Sequence, residues 1–534
     1  MRTAIRIPDT TGQHLCGITV DFERFSLPIA ITHLKYTGGV DKWTADKLAG
    51  LVREATSRFG LHYDGCATGH NCKFADPNHL APSTNHCVFA GVSDSGACDA
   101  AASAKSSCNQ CRCAPHSINL SFKDTIESDD DDENFQFVVG LLHRLHLVCK
   151  TVRNSAKLRD RFLYIQRELI KVMDNPTTQH AHILLTAVIT RWGSTYNSIS
   201  RFLEYIPQRA LVLLSREEIA RDTAVGEGSL FTTRERSCLS DLLRVLAGPK
   251  RVTVFLQGEH YTTLSFTYPH IHKLWLDLRS WGDNTTIHPG VRRFAQIMHG
   301  SLDRRLHVNF LRPSSYVATF LDPRLKQMTM LPRDVRLMAG EYTRDAARHE
   351  SELMRREEEQ RSANAAAAAA AAGAAAAASA AAEAAVAASA LENEVKDGDE
   401  FEWPEYNSGS DYERDDVQEV AGPLNMEFAQ YAREPALADE RGPMAREDPL
   451  VWWRGRTHQL PILSRVARRY LAIPASSAAV ERMFSYTGMR VSRRNNRLDT
   501  ETLLDLMLQR SLQKFNEKWG PKYLARARDA GLIN

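Results

Sequence analysis

No stretch of about 18 residues is rich enough in large apolar side chains to read as a membrane-spanning helix. Charge of one sign is also lacking: 67 Lys and Arg stand against 65 Asp and Glu. Bulk charge therefore supplies no attraction for nucleic acid. The opening residues, MRTAIRIPDTTGQH, have no apolar core and do not read as a secretory leader. The expected compartment is reducing, with cysteines as thiols or metal ligands. What the chain has in quantity is length: 534 residues allow several domains and a sizeable core.

Local composition is uneven. Acid gathers from Glu127 to Glu133 and from Glu392 to Asp416, while ten arginines between Arg454 and Arg497 face one acid, Glu481. Such a stripe can attract phosphate in a neutral chain. Seven cysteines fall between Cys66 and Cys113, with His70, His79, His86 and His116 among or just after them.

Alternation of apolar and polar residues over 15–32 predicts two strands, and the pattern of 41–59 predicts an amphipathic helix. From Gly65 to Ser107 periodicity fails, which predicts a long irregular loop. Residues 117–126, 136–173, 192–214 and 236–281 read as mainly helical. Residues 335–362 read as a long exposed helix, and the alanine tract of 363–390 as a helical or frayed spacer. The expected units are 1–135, 136–362, a low-complexity linker over 363–447, and a C-terminal helical unit over 448–525.

That last unit is the most informative. Pro461 suits the first turn of a helix that brings Leu460, Leu463, Val466, Ala467, Tyr470 and Leu471 to one face, and Pro474 stops it. Ser476 or Ser477 can cap the next helix. Asp499 can cap a third, with a stripe of Leu503, Leu504, Met507, Leu508, Leu512 and Phe515. Short helices this apolar need a further surface, either the body of the same chain or a second copy.

The segment resembles the C-terminal dimerisation region of hAT transposases in Trp452–Trp453, Tyr470 to Ser477, Glu481 to Ser485 and Asn496 to Leu498. Upstream stretches resemble other parts of that family, in the same order: CRCAPHSINLSFKD from Cys111, TRWGSTY from Thr190, LQGEHYTTLS from Leu256 and FLDPRLK from Phe320. The resemblance implies an α/β fold: an RNase H-like core interrupted by a large helical insertion, with a helical unit that pairs with itself. Trp452, Trp453, Tyr470, Leu471, Phe484, Leu503, Leu504, Met507 and Leu508 are the candidate pairing residues.

The family's chemistry needs two Asp and one Glu around two Mg²⁺ ions, because hard cations require carboxylate oxygen. Glu481 matches the Glu. The second Asp is expected shortly before the Cys-His motif, where CATGHN places Gly69 or His70, and Asp64 is the nearest acid. Asp9 is the only acid offered for the first position and lacks the family's Trp context. A BED-type zinc finger, which the family carries, has no counterpart in the sequence. The expectation is a nuclear, self-associating, transposase-derived protein without strand transfer. Its alternatives are an active DNA transposase and a zinc- or DNA-binding regulator. Cys108, Cys111, Cys113 and His116 are candidate Zn²⁺ ligands. Trp192, Arg490, Arg493, Arg494 and Arg497 are candidate DNA contacts. The plainer reading, preferred for both, takes Trp192 as a core anchor and the arginines as a solvated face or as partners of the acidic linker.

Overall fold

The computed structural model describes residues 10–20, 23–33, 62–63, 87–88, 90–93, 109–173, 180–187, 192–219, 230–258, 261–307, 313–326, 328, 331–384, 423–437, 448–479 and 482, and six positions between 502 and 517. Strands β1 (Thr10–Val20) and β2 (Glu23–His33) form an antiparallel hairpin in which Val20 faces Glu23. The two strands expected over 15–32 are these, extended at the start. The 41–59 helix lies outside the described residues. Two short parallel pairs follow: β3 (His62–Tyr63) with β4 (Cys87–Val88), and β5 (Ala90–Ser93) with β6 (Asn109–Arg112). The expected irregular loop of 65–107 thus contains two strands. Val88, Ala90 and Val92 alternate there, but the small residues between them give a weak period-two signal.

Helix dominates the rest. Among the described residues three two-stranded sheets stand against thirteen α-helices. The expected α/β layer is therefore observed as a mostly helical chain with few strands. None of the described helices is long and apolar enough to cross a membrane.

The first helical body comprises α1 (Ala114–Ile126), α2 (Glu133–Asn154), α3 (Ala156–Lys171), α4 (Trp192–Leu203), α5 (Tyr205–Ile219), α6 (Thr233–Leu256), α7 (Thr267–Asp283) and α8 (Pro289–Leu302). Their starts are fixed by local chemistry. Asp132 accepts from the amide of Phe135 at 2.8 Å, Ser155 accepts from that of Leu158, and Thr232 and Glu235 form a reciprocal capping box. The buried faces meet in one core containing Phe122, Phe135, Phe162, Phe202 and Phe294. A Cβ at Gly290 would come within 1.9 Å of the Asn134 carbonyl, so only glycine lets α8 start against the start of α2. The acid run between α1 and α2 is tied to the body, since Asp130 receives two hydrogen bonds from Arg293 of α8.

His270 on α7 packs against Phe255 and Phe266, with ring centroids 4.4 and 5.5 Å away. Burial pushes its pKa down to about 4. The neutral ring is favoured in the folded state, so this group leaves stability unaffected above the unfolded value near 6.5. Stability then falls as the pH drops from about 6.5 through about 4, by up to roughly 3 kcal/mol. Urea unfolding at pH 7.5 and 4.5 should show this acid loss reduced in His270→Phe. An identical loss in both proteins would contradict it.

The second body comprises α9 (Pro313–Leu321), α10 (Arg333–Ala384), α11 (Pro423–Arg433), α12 (Pro449–Arg454) and α13 (Pro461–Ala472). Helix α10 is not exposed throughout, as its sequence led us to expect. Val335, Ala339, Thr343, Ala347 and Glu350 recur at helical spacing and are buried. Beyond them the helix leaves the body: every residue from Glu358 to Ala370 is exposed. Glu352 binds both Arg355 and Arg356 there, the spacing that supports an isolated helix. The linker expected over 363–447 also needs correction, because α11 lies within it and packs into the core through Tyr431.

Candidate functional site

Trp453 is the centre of the second body. It is fully buried, its indole N–H donates to the Leu321 carbonyl at 2.7 Å, and its ring stacks on Tyr431 at 5.1 Å. Trp452 meets it edge-on at 4.9 Å and carries the Arg456 guanidinium over its other face at 3.9 Å. Helix α13 adds Leu463, Val466, Ala467 and Leu471 to the same core. Its first amides would be unpaired in this apolar setting. The carboxylate of Glu427 on α11 accepts from the amides of Ile462 at 3.0 Å and Leu463 at 2.8 Å. Burial raises the Glu427 pKa, and those two hydrogen bonds oppose the rise.

Around this core, segments far apart in sequence are bonded to one another. Asp322 and Arg324 form a fully buried ion pair with two side-chain contacts of 2.8 and 2.7 Å. Ser265 donates to Asp322 at 2.7 Å, and Arg324 donates to Thr262 at 2.7 Å. The neighbouring Thr263 hydroxyl accepts from the Ala475 amide at 3.0 Å, while the Ala475 carbonyl accepts from the Ala114 amide at 3.0 Å. The Ser477 amide donates to the Cys113 sulfur at 3.4 Å, and the Ser476 hydroxyl lies 3.6 Å from it. Arg482 donates to the Gln257 carbonyl, and the Trp192 amide donates to Asn119. Every one of the motifs singled out in the sequence except Asn496 to Leu498, which lies outside the described residues, is tied to another by at least one such bond. Their shared task in this structure is to lock the C-terminal region onto the helical body.

A family model for the hAT C-terminal dimerisation region matches residues 427–512. A putative AC transposase of Zea mays is 24% identical over 393 residues, covering 73% of this chain and 42% of the relative. A putative AC9 transposase of the same plant is 23% identical over 413 residues, covering 73% and 43%. The chain resembles hAT-family transposases and carries their C-terminal dimerisation region. It is also 24% identical over 243 residues to human zinc finger BED domain-containing protein 4, covering 46% of the chain and 18% of that relative. The matched stretches span under half the length of the transposase relatives.

The matched hAT region begins at Glu427, the residue that caps α13, rather than near Asp448 where sequence patterning placed its start. Of the candidate pairing residues, Trp452, Trp453 and Leu471 are buried inside this chain and Tyr470 is half-buried. The Trp pair thus builds the platform of the hAT region and offers no face to a second copy. Phe484, Leu503, Leu504, Met507 and Leu508 lie outside the described residues.

The arginine-rich stripe is also engaged within the chain. Arg465 and Arg469 both bind Glu350, Arg465 also binds Glu357, and Arg456 binds Glu434. Arg490, Arg493, Arg494 and Arg497 lie outside the described residues. Trp192 is buried in the helical core, in accord with its reading as an anchor.

Cys108 lies outside the described residues, Cys111 joins the core of the hAT region and Cys113 faces Ser476 and Ser477. Burial pushes the Cys113 thiol up, against the hydrogen bonds from Ser477, His116 and Ser476 that lower it. No group of three His, Cys, Asp or Glu side chains suited to a metal occurs among the described residues.

Glu481, Asp9 and Asp64 all lie outside the described residues, as does the 64–71 loop. The strands nevertheless point to an acid that patterning overlooked. β5 ends at Ser93, and the next residue in the sequence is Asp94. β5 runs parallel to β6, which leads directly into Cys113 and α1. An acid following a strand, one strand before the Cys-His motif, is the order expected for the second family Asp.

Proposed function

We propose that this transposase-derived protein acts in the nucleus as a self-associating component, pairing through the distal part of its hAT region and lacking strand transfer. The observation that carries it is the split within that region. Its proximal part, through Ala478, is packed into the chain's own body. Farther on, Thr502, Gln509, Arg510, Gln513 and Glu517 are helical and exposed, with Leu506 half-buried. At 100° per residue these positions share one face, and by sequence spacing alone Leu504, Met507, Leu508 and Phe515 would fall opposite it, with Leu503 at its margin. An apolar stripe of that width needs a partner, and the matched family pairs with itself. The transposase relatives and the BED zinc-finger relative support a nuclear setting. A chain ending at Leu498 keeps all of α12 and α13 and should have half the solution mass of the full chain. Equal masses would remove the distal stripe from the account.

The carboxylates present in the sequence support the absence of strand transfer in this chain. Asp94 and Glu481 supply two, and Asp9 lacks the sequence context of the third. Two metal ions held about 4 Å apart need all three. Supercoiled plasmid incubated with the chain in Mg²⁺ or Mn²⁺ should remain intact. The second reading is an active enzyme, favoured by the parallel β5–β6 pair that precedes the Cys-His motif with Asp94 at its margin. Nicking abolished by both Asp94→Asn and Glu481→Gln would establish that reading and overturn the first.

A further inference from the structure

Helices α3 and α5 pack against one another and leave an open cleft of about 620 Å³ along their outer faces. Its floor is apolar, with Ile165 and Leu169 from α3 and Leu213 from α5. Tyr164 stands at the edge, 49% exposed, with the Arg161 guanidinium over its ring at 5.0 Å. Both carboxylates that line the cleft are neutralised within it. Arg161 donates twice to Glu217, at 2.9 and 2.7 Å, and Lys171 binds Glu168 at 2.8 Å. Arg216 is the cation left over, exposed at the cleft and without a carboxylate partner among the described residues. Arg167 is likewise exposed and unpaired among them, one turn beyond Tyr164. Along α3 as a whole, Lys157, Arg159, Arg161, Arg167 and Lys171 stand against Asp160 and Glu168. An apolar floor beneath surplus positive charge suits an acidic segment that carries large apolar side chains.

The chain carries such a segment. Asp397 to Glu413 contains seven acids and no Lys or Arg, and EFEWPEY sets Phe401, Trp403 and Tyr406 among them. It lies outside the described residues. Alternation of acid and apolar residues is the pattern of short segments that dock by rings and charge together. Pro404 disfavours a helix through Trp403, and Phe401 and Trp403, two apart, would share one side of an extended run. The stripe around Leu504 is a poorer match, because acid and base nearly balance over Asp499 to Lys518. We propose that the α3–α5 cleft holds the Glu400–Tyr406 segment of the same chain, with its rings over Leu169 and Leu213 and its acids toward Arg167 and Arg216. Residues 385–399 join the segment to the end of α10, and residues 407–422 join it to the start of α11. Each stretch can span about 50 Å when extended. A tethered segment fills its site at any protein concentration. The contact is independent of pairing through the hAT region and of any cleavage chemistry.

The test is fluorescence anisotropy of a labelled peptide spanning Asp397 to Glu413, titrated with full-length chains. Wild type should bind it weakly, because its own segment fills the cleft. Phe401→Ala/Trp403→Ala/Tyr406→Ala empties the cleft and should bind the peptide at least roughly tenfold more tightly. Adding Tyr164→Ala/Arg216→Glu, at exposed positions, to that variant should weaken peptide binding on the order of tenfold, with circular dichroism unchanged. Equal binding by wild type and the triple variant, or no binding by either, would overturn the proposal. So would peptide binding that Tyr164→Ala/Arg216→Glu leaves unaltered, which would place the peptide elsewhere. Unlabelled wild type added to the complex of peptide and triple variant should not displace the peptide, since its segment is held within its own chain. Displacement would assign the segment to a second copy and overturn the within-chain contact.

Discussion

Trp453→Ala should lower stability by about 3–5 kcal/mol, the range for removing a fully buried large aromatic side chain. The cause is more than lost area. The indole fills the space between Tyr431 and Trp452, and its N–H is the donor to the Leu321 carbonyl. Truncation leaves a void lined by rings and a buried carbonyl without that donor, which alone costs about 1–3 kcal/mol. Trp453→Phe retains much of the packing and should cost clearly less. Urea unfolding followed by far-ultraviolet circular dichroism measures both. A change below about 1 kcal/mol for Trp453→Ala would mean that the hAT region is not part of the cooperative core.

The second large effect is expected at Asp322. Its carboxylate neutralises Arg324 and accepts from Ser265, with 0% and 3% of the two charged side chains exposed. Asp322→Ala leaves a buried guanidinium without its carboxylate, held by the Thr262 hydroxyl and lying over the Phe266 ring at 4.7 Å. Breaking one side of a buried pair costs about 3–5 kcal/mol. Asp322→Ala/Arg324→Met removes both charges and should recover much of that loss, because the destabilising element is the unpaired charge. A double variant no more stable than Asp322→Ala would show that the pair acts through geometry instead. Leu321 and Asp322 are adjacent, so the effects of Trp453→Ala and Asp322→Ala should not add.

Much of the helical framework was legible in the sequence. Pro461 and Pro474 bracket α13 as their backbone chemistry requires, and the hairpin of β1 and β2 follows from alternation. Helix α11 was missed because acid, proline and glycine surround it. Leu424, Phe428 and Tyr431 still carry helical spacing, the signal that marks it. The role of the Trp pair could not be read in advance. Apolar surface is non-directional, and only the structure shows that α9, α10 and α11 of the same chain cover it. The convergence of the motifs was likewise hidden. Bonds such as Cys113 with Ser476 join residues 363 apart, and no local pattern encodes such a pairing. Asp94 was visible but assigned no part, because the short strand before it reads as loop.

The most direct measurement is multi-angle light scattering of the full chain beside Leu504→Asp. The substitution places a charge in the middle of the distal stripe, where burial against a partner would leave it unpaired. It leaves Trp453, Glu427 and the proximal half of the hAT region intact. The account predicts a wild-type dimer or higher oligomer and a Leu504→Asp monomer of about 60 kDa, near the 59.9 kDa chain mass, with unchanged circular dichroism. A wild-type monomer, or a variant that associates as strongly as wild type, would contradict it.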